Sequence, residues 1–490
     1  MRCALFLFVF YFFYLLLVFF SAISSIISRF LIMKKILLLS FLALTASSQT
    51  PPLEDPSKVK DVVASAISSL ISSPSLLTSQ VLQTFFSPIS TVLARNSYVY
   101  RNGTSLYLNG ERWTASGANV YWLGLDENVI PPQGEPFYAP FNASYPTKGR
   151  TTEIMNTLVT IGAKLIRSQT LGVSVGNPLS LMPTKGVVNT DAFEAIDWAV
   201  YQARQHGLRI IAPLVDNFDY YHGGKFTFLR WHGYNISGSA SPLPPDTLKF
   251  YTDEAIIGTF KNYIEILMTH VNPYTGLSYA DDPTIIGYET GNELNGIVWG
   301  DKNVPVDWIV EICTLVKSLG PKKLCIDGTY GVNKTHFVIE EVDIFSDHFY
   351  PLNNTLLESD IAAVESADRV YIAGELGWTA EATAKRGDSL RSFYDVIEKR
   401  QKLEKPVVAG SLIWSLFGRN VPDCGTYVPH NDGYTMHYGS PNNSAADDAQ
   451  ISTMRQHYFA MQGITVDSYL PSVPCPGNYI PGYDAEYTYV

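Results

Sequence analysis

Two kinds of hydrophobic segment alternate along the chain between about residues 98 and 465. The longer kind, at residues 191–207 and 253–271 for example, places apolar residues three and four positions apart, which predicts helices with one buried face. The shorter kind is rich in β-branched and aromatic residues, which predicts strands. Eight such runs occur, at residues 115–124, 164–169, 209–216, 284–293, 323–329, 344–351, 369–378 and 408–418.

Eight strands that alternate with helices favour a parallel sheet closed into a (β/α)8 TIM barrel. Gly162, Gly207 and Gly320 stand where the intervening helices should end. The alternative is a doubly wound open sheet, whose usual six or so strands fit the count less well. We therefore predict a single catalytic domain over residues 97–465, with its site at the carboxyl ends of the strands.

Two apolar runs precede the barrel region. Residues 4–20 are uninterruptedly apolar, and a second run after Met33 carries two lysines and a leucine-rich stretch, as in a cleavable signal peptide. We expect residues 1–48 to be an upstream extension and signal peptide, and the protein to be secreted. The alternative is a membrane anchor at residues 4–20 with the catalytic domain outside the cytoplasm. Residues 49–96 form a Ser/Pro-rich leader or linker, and residues 466–490 a C-terminal tail.

Two further features agree with export from the cytoplasm. Outside the leader the chain has four cysteines, which allow three pairings. We favour Cys313 with Cys325, which are close in sequence, and Cys424 with Cys475 in the tail. Six Asn-x-Ser/Thr triplets indicate N-glycosylation; they begin at Asn102, Asn142, Asn235, Asn333, Asn353 and Asn442.

Composition narrows the classes of ligand. The formal net charge of −11 argues against nucleic acid, which is bound mainly through Lys and Arg. Only 17% of residues are charged, whereas Tyr (30) and Phe (25) are abundant. Aromatic faces pack on sugar rings, although many of these rings will simply form the core. The sequence has no Gly-rich phosphate loop, Cys/His cluster or dinucleotide fingerprint, so we expect neither a metal nor a cofactor.

Two glutamates close predicted strands that face each other across a barrel. Glu293 ends the fourth strand and Glu375 lies at the end of the seventh. Such a pair can flank one glycosidic bond, one group as acid and the other as nucleophile, and a short separation gives retention of configuration. Ordinary salt bridges are the alternative, but carboxylates at the ends of strongly apolar strands favour catalysis. We predict Glu293 as acid/base and Glu375 as nucleophile.

Two segments carry a family resemblance. Residues 250–294 (FYTDEAIIGTFKNYIEILMTHVNPYTGLSYADDPTIIGYETGNEL) and residues 216–225 (DNFDYYHGGK) resemble glycoside hydrolase family five, and most of all its fungal and plant endo-β-1,4-mannanases. The resemblance covers about residues 98–460. It implies a retaining endo-glycosidase that cuts internal β-1,4-mannosidic bonds in mannan, glucomannan or galactomannan, without cofactor or metal. We expect it to be a monomer whose partner is the polysaccharide.

The resemblance also implies roles for pocket residues. Arg167 would orient the nucleophile, although a structural ion pair is the alternative. Asn292 would reach the sugar 2-hydroxyl, and His348 would lie near the acid/base. Tyr350 would contact the nucleophile through its hydroxyl. Trp414 would form the floor under the reacting sugar, unless it is a core residue.

Other positions are less well defined. By strand position alone, Trp122 and Trp378 would line the groove, with Asn217 as a polar contact. The chain departs from the mannanase pattern at residues 288–294 (YETGNEL) and at residues 168–170 (SQT), where a tryptophan is expected. The resemblance therefore supports cleavage of a glycosidic bond more strongly than it supports a particular substrate. The alternatives are a retaining glycosidase or transglycosylase on another β-glycan, and a non-catalytic carbohydrate-binding barrel.

Overall fold

A computed structural model describes residues 96–127, 143–238, 243–295, 304–381, 383 and 387–476. The described region begins with a small antiparallel sheet of three strands: β1 (Val99–Asn102), β2 (Ser105–Leu108) and β3 (Glu111–Arg112). Val99 and Leu106 of this sheet pack against side chains inside the barrel that follows. The sheet thus contributes to the inner core.

Eight parallel strands then form a closed barrel in which each strand pairs with the next one along the chain. The prediction of a (β/α)8 barrel is confirmed, and every strand lies within its predicted run. The barrel strands are β4 (Gly117–Asn119), β5 (Leu165–Arg167), β6 (Arg209–Pro213), β7 (Ile285–Glu289), β8 (Leu324–Ile326), β9 (Ile344–Phe349), β10 (Val370–Gly377) and β11 (Val408–Trp414). Two short strands, β12 (Leu416–Phe417) and β13 (Met436–His437), pair with each other beyond the barrel.

Helices separate most of the strands and bury their apolar faces against them in the main core. Gly162 and Gly207 adopt positive φ just after two helices, and Gly320 caps a third, as predicted. The α-helices of the described region include α1 (Lys148–Thr160), α2 (Ala192–Gln205), α3 (Lys225–Trp231), α4 (Lys249–Thr252), α5 (Glu254–Thr269), α6 (Val306–Leu319), α7 (Asn354–Ser366), α8 (Leu390–Gln401) and α9 (Ala445–Ala460).

Both favoured cysteine pairings are confirmed. Cys313 of α6 is bonded to Cys325 of β8, and Cys424 is bonded to Cys475 in the C-terminal segment. Among the described residues, no helix is both long and apolar enough to cross a bilayer. The expectation for residues 1–48, that for residues 49–96 apart from the last residue, and that for the triplet at Asn142 lie outside the described residues, as does the tail from residue 477 onward.

Glycine at position 328 allows the loops after β7 and β8 to approach closely. A Cβ on Gly328 would lie 1.9 Å from the carbonyl oxygen of Gly291, which is backbone and cannot rotate away. We expect Gly328→Ala to lower the free energy of unfolding by about 3 kcal/mol, as overpacking does. The control is Gly258→Ala in α5, where a Cβ meets open space, so stability should rise by about 0.5–1 kcal/mol. Urea unfolding measures both; equal stability of the two variants would contradict the prediction.

Candidate active site

The two glutamates and one histidine meet at the carboxyl end of the barrel. Glu293 follows β7, His348 lies in β9 and Glu375 in β10. One carboxylate oxygen of each glutamate and a ring nitrogen of the histidine lie within 4.8 Å of one another. Pairing of neighbouring strands brings these groups together, since Glu375 is the register partner of His348. The separation suits two carboxyl groups that act on one bond with retention.

Arg167, at the end of β5, is buried beneath this site and organises it. Its Nη1 donates to Glu375 Oε1 at 2.7 Å and to Asn119 Oδ1 at 3.1 Å, and its Nη2 donates to Asn292 Oδ1 at 2.8 Å. Its Nε donates to Glu289 Oε2 at 2.8 Å. One guanidinium therefore fixes the orientation of two carboxylates and two amides through charge-assisted hydrogen bonds.

Glu375 accepts several donors that favour its ionised form. The Tyr350 hydroxyl donates to Oε2 at 2.9 Å, and the side-chain amide of Gln169 donates to Oε1 at 3.4 Å. Burial raises the pKa of Glu375 above its ordinary 4.5, while the charge of Arg167 acts in the opposite direction. Donors on both oxygens aim the carboxylate and stabilise its charge.

Glu293 lies in a different electrostatic environment. Burial raises its pKa to about 7, the charge of Asp216 adds to this shift and Arg167 opposes it. His348 Nδ1 is 2.6 Å from Glu293 Oε1, and burial lowers the pKa of His348 to about 4, so this ring is neutral at ordinary pH. Catalysis by an acid and a nucleophile requires one protonated and one ionised carboxyl group, and the two environments favour this arrangement.

Trp414, at the end of β11, remains partly exposed and is held from two sides. Its ring stacks on Tyr121 with centroids 5.0 Å apart and planes at 5°. Its Nε1 donates to Asp432 Oδ2 at 2.8 Å. These contacts fix the plane of the indole at the barrel mouth.

The structure corrects the expectation for the other two tryptophans. Trp122 is 1% exposed and donates to the Leu416 carbonyl, and Trp378 is 2% exposed and donates to the Tyr434 carbonyl. Both belong to the main core rather than to a groove wall. Asn217 is also buried, with its Oδ1 accepting from Lys225 Nζ at 2.6 Å, so it offers no exposed amide.

The sequence interpretation missed several residues of the site. Arg167 donates hydrogen bonds to Asn119 and Glu289, and Gln169 donates one to Glu375. Burial raises the pKa of Glu289 to about 7. Asp216 and His222 lie behind Asn292. Position at a strand end was an available signal for Asn119 and Glu289, whereas no local pattern marks His222.

A metal ion bound next to Glu375 would compete with the Arg167 guanidinium. Among the described residues, the Glu293, His348 and Glu375 group has ligand spacing, since imidazole nitrogen and carboxylate oxygen are zinc ligands. The Arg167 guanidinium already neutralises Glu375 there, and a divalent cation next to it would be repelled. The arrangement therefore fits acid–base and nucleophilic chemistry better than metal binding.

Comparisons with known proteins identify relatives of this chain. A family described as GH family 5 β-mannosidase-like matches residues 96–381. Putative mannan endo-1,4-β-mannosidase 5 of Oryza sativa subsp. japonica is 33% identical over 48% of this chain and 42% of its own length. Mannan endo-1,4-β-mannosidase 1 of Arabidopsis thaliana is 28% identical over 53% of this chain and 62% of its own length. The chain thus spans less than two thirds of either relative.

Solved structures show a similar fold. The endo-1,4-β-mannanase of Rhizomucor miehei superimposes with a TM-score of 0.58 and 20% identity, covering 75% of this chain and 100% of that one. The endo-β-1,4-mannanase of Thermotoga petrophila gives a TM-score of 0.56 and 22% identity, covering 73% of this chain and 79% of that one. At these sequence identities, the comparison shows a similar barrel fold only.

Proposed function

The chain belongs to the β-mannosidase-like group of glycoside hydrolase family 5, and we propose that it hydrolyses internal β-1,4-mannosidic bonds with retention of configuration. The single observation that carries this proposal is the carboxyl pair, Glu293 and Glu375, with oxygens within 4.8 Å of each other and contrasting surroundings. The mannanase names of its relatives support the choice of substrate. Mannan, glucomannan and galactomannan all contain such bonds.

Two displacements account for the reaction. Glu375 attacks the anomeric carbon while the Glu293 carboxyl gives its proton to the leaving oxygen, so the glycosidic bond breaks and a covalent glycosyl-enzyme forms. Glu293, now ionised, takes a proton from water, which attacks the same carbon and releases Glu375. Arg167 and Tyr350 hold the nucleophile in line through their hydrogen bonds.

Recognition of the reacting sugar falls to residues around this pair. Asn292 would donate its amide to the 2-hydroxyl, and Trp414 would offer a ring face to the sugar, because C–H groups pack on aromatic faces. The orientation of Asn292 is fixed by Arg167, and that of Trp414 by Tyr121 and Asp432. These two side chains would position the anomeric carbon against Glu375.

We propose further that the protein is secreted, glycosylated and monomeric. Two disulfides support an oxidising compartment. The polymeric substrate lies outside the cell membrane, and five described Asn-x-Ser/Thr triplets lie in the barrel region. Mass measurement of the exported protein, before and after glycosidase treatment, tests processing and glycosylation together, and light scattering tests the monomer.

Sugar release from four polymers tests the proposed substrate. The purified protein is incubated with linear mannan, glucomannan, cellulose and β-1,3-glucan, and products are separated by size. We expect a series of short oligosaccharides from mannan and glucomannan alone, since internal cleavage gives mixed lengths. Activity confined to another glucan would keep the mechanism and overturn the substrate. Activity on none of the four would favour a carbohydrate-binding barrel.

The pH dependence of kcat/KM should be bell-shaped, with its alkaline limb near pH 7. Glu293 acts as an acid only while protonated, so the rate falls as pH rises through its pKa of about 7. Glu375 acts only while ionised, so the rate falls on the acid side as pH drops below its raised pKa. Initial rates on mannan across the pH range measure both limbs. An alkaline limb far above the pKa of Glu293 would contradict this assignment.

A further inference from the structure

A buried carboxylate behind the site has no role in the mechanism above. Asp216 follows β6, is 1% exposed and forms a parallel bridge with Asn292. Its Oδ1 accepts from the Phe218 backbone N–H at 2.9 Å and from Asn292 Nδ2 at 3.2 Å. Asn292 is thus held at both ends of its amide, by Arg167 on the oxygen and by Asp216 on the nitrogen. The remaining amide hydrogen is the one that can reach a sugar.

His222 completes the surroundings of Asp216. Its Nε2 lies 2.9 Å from Asp216 Oδ2, and its buried Nδ1 has no hydrogen-bond partner in the described part of the chain. A buried N–H without an acceptor is costly, so the arrangement favours a hydrogen on Nε2 that is donated to Asp216. Gly223 holds the turn, since its φ is +83° and a Cβ there would meet the Val175 carbonyl at 2.1 Å.

The Asp216 carboxylate acts electrostatically on Glu293. Burial is the largest cause of the raised pKa of Glu293, and Asp216 is the largest electrostatic cause in the same direction. The other titratable or charged groups whose fields act at this site are Arg167, Tyr330, Asp347, His348, Tyr350 and Glu375. Near Asp216 itself lie Tyr221 and Lys225, and the Lys225 ammonium donates to Asn217 rather than to the Asp216 carboxylate.

We propose that Asp216, held by His222, is a positioning residue that orients Asn292 and whose charge keeps Glu293 in its protonated, proton-donating form. This inference rests on the proposed function, since it concerns the same acid. The loop after β6 would then help to set the pH range in which Glu293 can donate a proton. The carboxylate touches neither substrate nor reacting atoms and acts through Asn292 and Glu293.

Asp216→Asn removes the charge and preserves the shape. The new side-chain oxygen can accept the two bonds of Oδ1. If His222 Nε2 accepts from the new amide, the ring hydrogen moves to the buried Nδ1, which has no acceptor among the described residues, so some stability is lost. Asp219→Asn is the control, because it also removes a carboxylate from this loop. The Asp219 carboxylate pairs with the part-exposed Arg230 at 2.7 Å. Asp216→Ser is the second variant should the asparagine protein not fold, because it also removes the charge.

Direct titration is the primary measurement and does not depend on activity. The full-length protein is labelled with ¹³C at glutamate carboxyl carbons, and the Glu293 signal is assigned by its loss in Glu293→Gln. We expect the pKa of Glu293 to fall by about one unit in Asp216→Asn or Asp216→Ser and to stay unchanged in Asp219→Asn. An unchanged pKa of Glu293 in the Asp216 variants overturns the inference.

Kinetics give the second readout and separate this inference from the proposed function. In an active protein, the alkaline limb of kcat/KM should move to lower pH by the same amount while the acid limb stays. A purely structural role for Asp216 would lower the rate without moving the limb, which would overturn the inference. Failure of the unsubstituted protein to cleave any mannan would overturn the proposed function instead, and the titration would still decide the role of Asp216.

Discussion

Replacement of Glu375 by alanine is expected to lower kcat/KM on mannan by about 10⁵-fold, because it removes the atom that forms the covalent intermediate. The substitution leaves Arg167 and Tyr350 in place with a space between them, lined by donors that formerly bound the carboxylate. Substrate should still bind, so the loss should appear in kcat. Rates on mannan over long incubation, with the unfolding curve checked separately, measure the effect.

A small anion can test whether the vacated position is that of the nucleophile. Azide added to Glu375→Ala with an activated aryl β-mannoside should enter the space next to Arg167 and attack the anomeric carbon, which gives an α-mannosyl azide. The comparison variant is Glu289→Gln, which alters the other carboxylate bound to Arg167. It should lose only about tenfold in kcat/KM and gain nothing from azide. A Glu375→Ala protein that retains more than a hundredth of its activity would contradict the assignment.

Much of the barrel could be predicted from sequence for a physical reason. Strands of a closed parallel barrel are buried on both faces, so each gives a largely apolar run, such as residues 210–213 of β6. Helices on the outside bury one face only and keep the three-to-four spacing. The ends of the runs also located Glu293 and Glu375, since polar side chains at the carboxyl end of a buried strand emerge at the mouth.

The direction of a side chain was harder to predict than its place along the chain. In β7 the register shifts near Ile286, so that strict alternation fails. Ile286 packs inside the barrel, Tyr288 packs outward against the helices, and Glu289 turns inward to Arg167. The end of the strand marked Glu289 as a candidate, but the local sequence gives no sign of the irregularity that turns its side chain inward.

The same limit explains the tryptophans and the loop residues. A ring that follows a strand can turn to the mouth or to the helices, and Trp122 turned to the core, where its N–H meets the Leu416 carbonyl. Asp216 contacts Asn292, which lies in another loop and 76 residues further along the chain. Contacts of that kind follow from the closed barrel, and no spacing in the sequence records them.

Replacement of Glu293 by alanine should lower kcat/KM on mannan by about 10³-fold, the size of a general-acid contribution. The loss should depend on the leaving group, because a sugar alcohol needs a proton to depart and an activated phenol does not. With an activated aryl β-mannoside the first step should proceed, the covalent intermediate should accumulate, and a burst of phenol should precede slow turnover.

Azide then distinguishes this carboxyl from the other one by the product that it gives. In Glu293→Ala the covalent intermediate on Glu375 is intact, so azide should attack it from the opposite face and give a β-mannosyl azide with faster turnover. An α-mannosyl azide from Glu293→Ala would mean that Glu293 is the nucleophile and Glu375 the acid/base. No rescue together with an equal loss on both substrates would mean that Glu293 does not act as the acid. Because burial and Asp216 both raise the pKa of Glu293 while Arg167 and Tyr350 hold Glu375 ionised, we expect the β-azide.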